Sequence, residues 1–226
     1  MKIRLIAAFF VLCAATLAAQ APTTPDAAPV PIPPPPPPSD VLAHTNDLGF
    51  SYSLPSDWEV VDTKPMLPAV LQQAARNYGS EAEKLVACVQ LPLTAHHGNP
   101  PSAIVVMGLS FDCIGHPFTA ADLPGIASGV SEGMKKSVEI ANPVNNTYTL
   151  GTHSLWIQRA SGSLIGHPEI KRTVETVCSV LKKGVVCWMV MTADDAALQT
   201  FENGTVTLDG DAATALVPAD ALQKKP

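Results

Sequence analysis

The residues able to do chemistry are few, and their types and spacing limit the reactions open to the chain. His96 and His97 are adjacent in AHHGNPP, and His116 and His167 each stand in a copy of IGHP, at 114–117 and 165–168. Neutral imidazoles held together on rigid elements are what zinc or copper requires. His96, His97, His116 and His167 are therefore the candidate metal ligands, with the two IGHP loops presenting His116 and His167 to one ion. The competing reading makes each IGHP a turn, with Gly supplying φ > 0, Pro a fixed φ, and His a polar filling. The residues preceding the two copies differ, so no duplication stands behind them, and the turn reading is preferred.

Other chemistries lack their parts. Nucleophilic catalysis needs an activated Ser or Cys with a base and an orienter. The one G-x-S-x-G run, GVSEG at 129–133, falls with Ser128 in the middle of an expected helix, not at the strand-to-helix turn that a nucleophile elbow needs. There is no C-x-x-C spacing and no G-x-x-x-x-G-K-[ST] phosphate loop. Asp194-Asp195 suits a helix start, where carboxylates meet free N–H groups and the dipole. Asp209 and Asp211 in LDGDA open like a calcium loop but lack its remaining ligands. Asn145 and Asn203 stand in N-x-T sequons, which matter only in a host that glycosylates exported proteins. No catalytic residue is assigned and no cofactor is expected.

Five cysteines occur, and Cys13 lies in the apolar run near the N-terminus. The even remainder, Cys88, Cys113, Cys178 and Cys187, suggests two disulfides in an oxidising compartment. VCSVLKKGVVC fits two hairpins. A two-residue Lys182-Lys183 loop puts Cys178 and Cys187 opposite each other at a non-hydrogen-bonded position, where Cβ atoms are close. A three-residue loop ending at Gly184 turns them to opposite faces. The expected pairing is Cys178–Cys187 and Cys88–Cys113.

Stepping outward, residues 1–21 read as an export signal. Lys2 and Arg4 precede IAAFFVLCAATLAA, a run too short to cross a bilayer, and small residues follow. No transmembrane segment is expected in the mature chain. The formal charge of −6 becomes more negative once that segment is removed, which excludes a phosphate-neutralising footprint and argues against nucleic acid as partner. Residues 22–40 hold 10 of the 22 prolines and read as a disordered linker in extended polyproline II, a spacer rather than a groove ligand.

The folded domain is expected over 47–217, with 218–226 a tail. FSYSL alternates Phe50, Tyr52 and Leu54 against serines, the mark of a half-buried strand, and WEVVD returns after a PSD turn. Leu67 to Tyr78 carries helical spacing, with Pro68 in the first turn, Gly79 as stop and a Ser80–Glu83 capping pair beyond. LVACVQL and SAIVVMGLSF read as strands covered on both faces. A second helix starts at Asp122 and buries Leu123, Ile126, Ala127, Val130 and Met134; its glycines at 125, 129 and 133 allow close packing on the sheet. TYTL, SLWIQRA, IKRTVETVCSVL and VVCWMVMT form a meander, followed by a short helix that turns Leu198 and Phe201 inward. Grouped strands imply an antiparallel sheet with helices on its faces, an α+β fold.

The opening F-S-Y-x-x-P-x-x-W-x-V, carried by Phe50, Tyr52, Pro55, Trp58 and Val60, resembles the PsbP-like fold. That group includes photosystem II extrinsic proteins, DcrB-type periplasmic proteins and a Ran-binding nuclear import factor. LGTHSLWIQRASG, 150–162, is similar to the Gly-led strand that follows the second helix in such domains. The resemblance covers most of 47–217. It implies an α/β/α sandwich around a mainly antiparallel sheet, and roles in binding and assembly rather than catalysis. The metal-associated residues of the photosystem proteins have no counterpart here, so no site residue is carried over. Trp58 is expected to plug the first hairpin onto the helix layer.

The function expected is an exported, non-catalytic binding or assembly module of the cell envelope, tethered by the proline-rich spacer. Its partner would be an envelope or extracellular protein meeting an apolar patch, with Trp156, Trp188, Met189 and Met191 as candidate lining. The alternative is a metal-dependent or hydrolytic exported enzyme built on the His loops. The oligomeric state has no signature in the sequence.

Overall fold

The computed structural model describes residues 47–66, 86–135 and 138–223, the backbone of Val41–Thr45, and isolated positions between 68 and 84. The expected export signal and proline-rich linker lie outside the described residues. So, for the most part, does the helix expected over Leu67–Tyr78 with its capping pair.

The described strands are β1 (Val41–Thr45), β2 (Phe50–Leu54), β3 (Glu59–Val60), β4 (Val89–His97), β5 (Ser102–Ser110) and β6 (Val138–Leu150). They continue with β7 (His153–Leu164), β8 (His167–Val180), β9 (Gly184–Thr192), β10 (Thr205–Leu208) and β11 (Thr214–Ala215). Helices are α1 (Phe111–Ile114), α2 (Leu123–Met134) and α3 (Asp195–Glu202). Seven strands form one sheet in the order β3-β4-β5-β9-β8-β7-β6, and four form a second, β1-β2-β10-β11. Every strand pairing described is antiparallel. The mainly antiparallel sheet with a few helices is the expected architecture.

Burial explains the layering. Along β9, Trp188 and Val190 point to one side while Cys187 and Met189 point to the other, and all four are buried. α2 covers the second side, laying Leu123, Ile126, Ala127 and Val130 on Val105, Met107, Cys178 and Met189. A short 3-10 turn, Ala120–Asp122, leads into it, closed by Thr119 and Asp122, which cap each other reciprocally, and Pro124 sits in the first turn of the helix itself. The first side is covered by the small sheet and α3 together. Phe50, Tyr52 and Leu54 of β2, Val206 of β10 and Phe201 of α3 share one core with Ile104, Leu155, Val177 and Trp188. Trp58 joins this core, which includes Ala197, Leu198 and Phe201 of α3, and lies beside the His97 ring of β4, 5.4 Å between centroids.

Three boundaries differ from the sequence reading. β1 pairs along its length with β2, Val41 opposite Leu54, so paired structure begins upstream of residue 47. At the other end Ala221 is buried, and Asn146 Nδ2 donates to its carbonyl at 2.6 Å, so the tail packs on the sheet. β4 starts at Val89, because Val86 and Ala87 still belong to a helical turn.

Both disulfides form as expected. The Leu181 N–H donates to the Gly184 carbonyl at 2.8 Å, which closes a two-residue Lys182-Lys183 loop. Cys178 therefore lies opposite Cys187 with Cα atoms 4.2 Å apart, the short separation of a non-hydrogen-bonded pair. Cys88–Cys113 ties the entrance of β4 to α1 across 5.6 Å between Cα atoms.

Candidate functional site

The four candidate histidine ligands find separate local partners. His96 faces Glu59 at 3.6 Å, and His97 faces Asp57 at 3.6 Å while its Nδ1 also meets the Asp57 carbonyl. His116 Nδ1 lies 3.1 Å from the Ile114 carbonyl, and His167 faces Glu169 at 3.2 Å. Among the described residues, no group of three His, Cys, Asp or Glu side chains is arranged to hold a metal ion. Both IGHP glycines take positive φ, +73° at Gly115 and +82° at Gly166, which is the turn geometry.

The expected patch residues do not share one surface. Trp188 is fully buried, edge-on to Phe50 and Tyr52 at 5.6 and 6.3 Å between ring centroids. Met189 is buried beneath α2. These positions correct the expectation that Trp188 and Met189 line a binding surface. The two neighbours on β9 must face opposite ways, and both faces of that strand are covered. Trp156 and Met191 are half-buried, with Trp156 packed against the core under α2.

The structure instead gathers charge at a place that no motif marked. β8 runs Thr173–Ser179 through the sheet interior, and Glu175 sits within it at 0 % exposure. Its register partner on β7 is Arg159, whose Nε donates to Glu175 Oε2 at 2.5 Å. Arg159 Nη2 donates to Glu202 Oε1, at the end of α3. Two carboxylates thus share one guanidinium, and Glu175 Oε1 is buried with no hydrogen-bond partner.

Burial dominates the electrostatics. It pushes the Glu175 carboxyl up to about 7, against the opposing pull of Arg159 and with a further push from Glu202. Burial raises the Tyr52 and Tyr148 hydroxyls as well, helped by the nearby Glu175. Both hydroxyls are committed as donors to backbone, Tyr52 to the Phe201 carbonyl at 2.9 Å and Tyr148 to the Leu216 carbonyl at 2.7 Å.

Arg159 is the part of this cluster that meets the surface. Its side chain is 34 % exposed, at an open depression of about 430 Å³ lined by Asn142, Val144, Ser161, Thr173 and Leu222. Val144 is 48 % exposed beside it, one of the few large apolar side chains left open. The site is therefore a guanidinium rimmed by aliphatic and hydroxyl groups, with its charge anchored from beneath. No nucleophile–base pair accompanies it. A second depression, about 450 Å³, lies between β2, α3 and β10, but its lining residues, Gln199, Thr200 and Asn203 among them, carry no charge.

One further cluster lies elsewhere. Asp209 and Asp211 stand 3.6 and 3.7 Å from His153 Nε2, which is buried without a hydrogen-bond partner. Asp209 Oδ2 accepts from the Lys182 N–H at 2.9 Å, and Asp211 Oδ2 from the Thr152 N–H at 3.0 Å. The Asp209 N–H donates to the Gly49 carbonyl at 2.7 Å. The LDGDA run is thus a knot that fastens three turns together.

No protein-family model matches this sequence, and no curated protein matches it. Among solved structures, the chain is similar to the cyanobacterial PsbP (CyanoP) of Synechocystis sp. PCC 6803. The TM-score is 0.42 and the identity 10 %, over 71 % of this chain and 84 % of that one. It is also similar to LpqN of Mycobacterium tuberculosis, described as involved in cell envelope biogenesis. There the TM-score is 0.38 and the identity 16 %, over 76 % of this chain and 92 % of that one. The resemblance to the PsbP-like group is one of fold.

Proposed function

We propose that this chain is an exported, non-catalytic binding or assembly module of the cell envelope. A proline-rich spacer tethers its folded part, and the depression at Arg159 is where it meets an extended segment of a protein partner. The observation that carries the reading is a partly exposed guanidinium on β7 beside an exposed valine on β6, the outer strand of the large sheet. Arg donors with aliphatic neighbours favour polar backbone and side chains over a bulk apolar ligand. Two disulfides suit an oxidising compartment, and the N-terminal segment has the composition of an export signal. Among the described residues no helix is long and apolar enough to cross a membrane.

The test is a photo-crosslinking residue placed at Val144 in the full chain, with a second at Ile165 as an exposed control. The reading predicts a defined protein adduct from Val144 alone, lost on Ser161→Glu, an exposed lining position, while the melting temperature holds. Equal labelling from both positions, or no adduct from either, overturns it.

A further inference from the structure

The Glu175 cluster couples the large sheet to the layer above it, and the coupling has an unequal pair of carboxylates. Glu175 is held on β8 at 0 % exposure and has nowhere to go. Glu202 ends α3, is 20 % exposed, and has water within reach. One guanidinium, Arg159, serves both. When Glu175 carries a proton, the cluster holds one cation and one anion, and Arg159 is free to pair fully with Glu202. When Glu175 is ionised, the same guanidinium faces two anions in a site with little water, and the carboxylate that can leave is Glu202.

We propose that Glu175, Arg159 and Glu202 form a proton-operated latch: a proton on Glu175 fastens the end of α3 to the sheet through Arg159, and its loss lets that end lift. The groups facing Glu175 are Arg159 from β7, Glu202 from α3, and the Tyr148 and Tyr52 hydroxyls from β6 and β2. On β9 its register partner is the apolar Val190. Neither tyrosine offers Glu175 a proton, since each hydroxyl donates to a backbone carbonyl. The raised carboxyl of Glu175 puts the change near neutral pH. What the latch holds is specific. The Val217 N–H donates to the Glu202 carbonyl at 2.9 Å and the Leu216 N–H to the Gly204 carbonyl at 3.0 Å, so lifting α3 exposes both amides. The latch acts within the fold and does not require that the depression hold a partner.

Amide hydrogen exchange on the full chain, corrected for intrinsic rate, tests it at pH 5.5 and pH 8.5. Protection of the Leu216 and Val217 amides is expected to fall on the order of tenfold at the higher pH, the size of one weakened charge-assisted bond. Amides in the middle of β5 and β9 should not change. In Glu175→Gln, which cannot ionise, the pH dependence at 216 and 217 should vanish. Its persistence in that variant, or unchanged protection in the wild type, overturns the latch. Should Glu175→Gln fail to fold, the Glu175 carboxyl carbon followed by NMR in wild-type protein decides. A midpoint near 7 together with the change in protection supports the latch, and a midpoint in the ordinary glutamate range refutes it.

Discussion

The molecule holds two clusters in which carboxylates meet a basic side chain, and they behave in opposite ways. Around Arg159, Glu175 makes its ion pair in the sheet interior, yet its carboxyl is pushed up to about 7. Around His153, Asp211 is partly exposed and its carboxyl is held below the usual range, first by the Thr152 backbone N–H and then by its hydroxyl. The guanidinium is the stronger partner, but the pairing does not offset the lost hydration. The aspartate has the weaker neighbour but keeps water and gains backbone donors. Desolvation decides the first case and hydrogen bonding the second. An ion pair alone therefore says little about which way a carboxyl will titrate.

Breaking the buried pair should have the largest effect. Arg159→Met leaves Glu175 ionised without a partner and should cost about 3 kcal/mol at pH 8, with a smaller loss at pH 5 where Glu175 is protonated. Denaturant titration at the two pH values checks it, and equal losses would remove Glu175 from the explanation. Next comes the wild-type pH profile. Glu175 has its folded value, about 7, above the unfolded one, so the folded protein holds an extra proton between them. That contribution is complete below pH 4.5 and lost by about pH 7, a decline on the order of 3 kcal/mol. Glu175→Gln should flatten the profile in this window.

The His153 cluster should answer more weakly. Gly151 has φ +59°, and a Cβ there would press into Asp211 Oδ2. Gly151→Ala is expected to lower stability by about 1–2 kcal/mol, measurable as a shifted denaturant midpoint. Smallest is Asp211→Asn. The Asp211 carboxyl is depressed, so its contribution is present above the unfolded value and is lost only as pH falls through the folded one. A small, pH-independent loss between pH 5 and 8 is expected. An Asp211 carboxyl carbon whose NMR midpoint lies above the ordinary aspartate range would mean that Asp211 behaves like Glu175 and would erase the contrast.

Much of the framework was legible in the chain. FSYSL shows its buried face as Phe50, Tyr52 and Leu54, and the α2 stripe puts Leu123, Ile126, Ala127 and Val130 on the sheet, because period-2 and helical spacing are local signals. The Cys178 turn was not settled, since Lys182-Lys183-Gly184 satisfies two loops and only the closing bond of Leu181 to Gly184 chooses. The continuous apolar run GVVCWMVMT carries the same mark of two covered faces as SAIVVMGLSF, and that mark argues against Trp188 and Met189 as surface lining. The charged site was the least visible. Glu175, Arg159 and Glu202 are separated along the chain and meet only through strand register and the docking of α3. One signal was present: a lone Glu in TVETVCSVL, among residues that read as buried on both sides. A charge in such a strand needs a partner from elsewhere.

The small sheet is assembled from the two ends of the chain. β1 and β2 come first and β10 and β11 last, with Ser51 and Thr207 joined by a 2.6 Å hydrogen bond across 156 residues. The meander β6-β7-β8-β9, by contrast, is made of consecutive hairpins and closes short loops. The meander therefore sets the pace early, and the small sheet must wait for the whole sequence. On a chain emerging N-terminus first, the side of β2 that pairs with β10 stays unpaired until residue 208 arrives. The Phe50 and Tyr52 rings already have Trp188 of β9 to pack on, so what waits is the backbone edge of β2. A chain cut short before β10 thus keeps the aromatic contacts of β2 with β9 but is left with an unpaired strand edge, the feature that invites pairing with other chains.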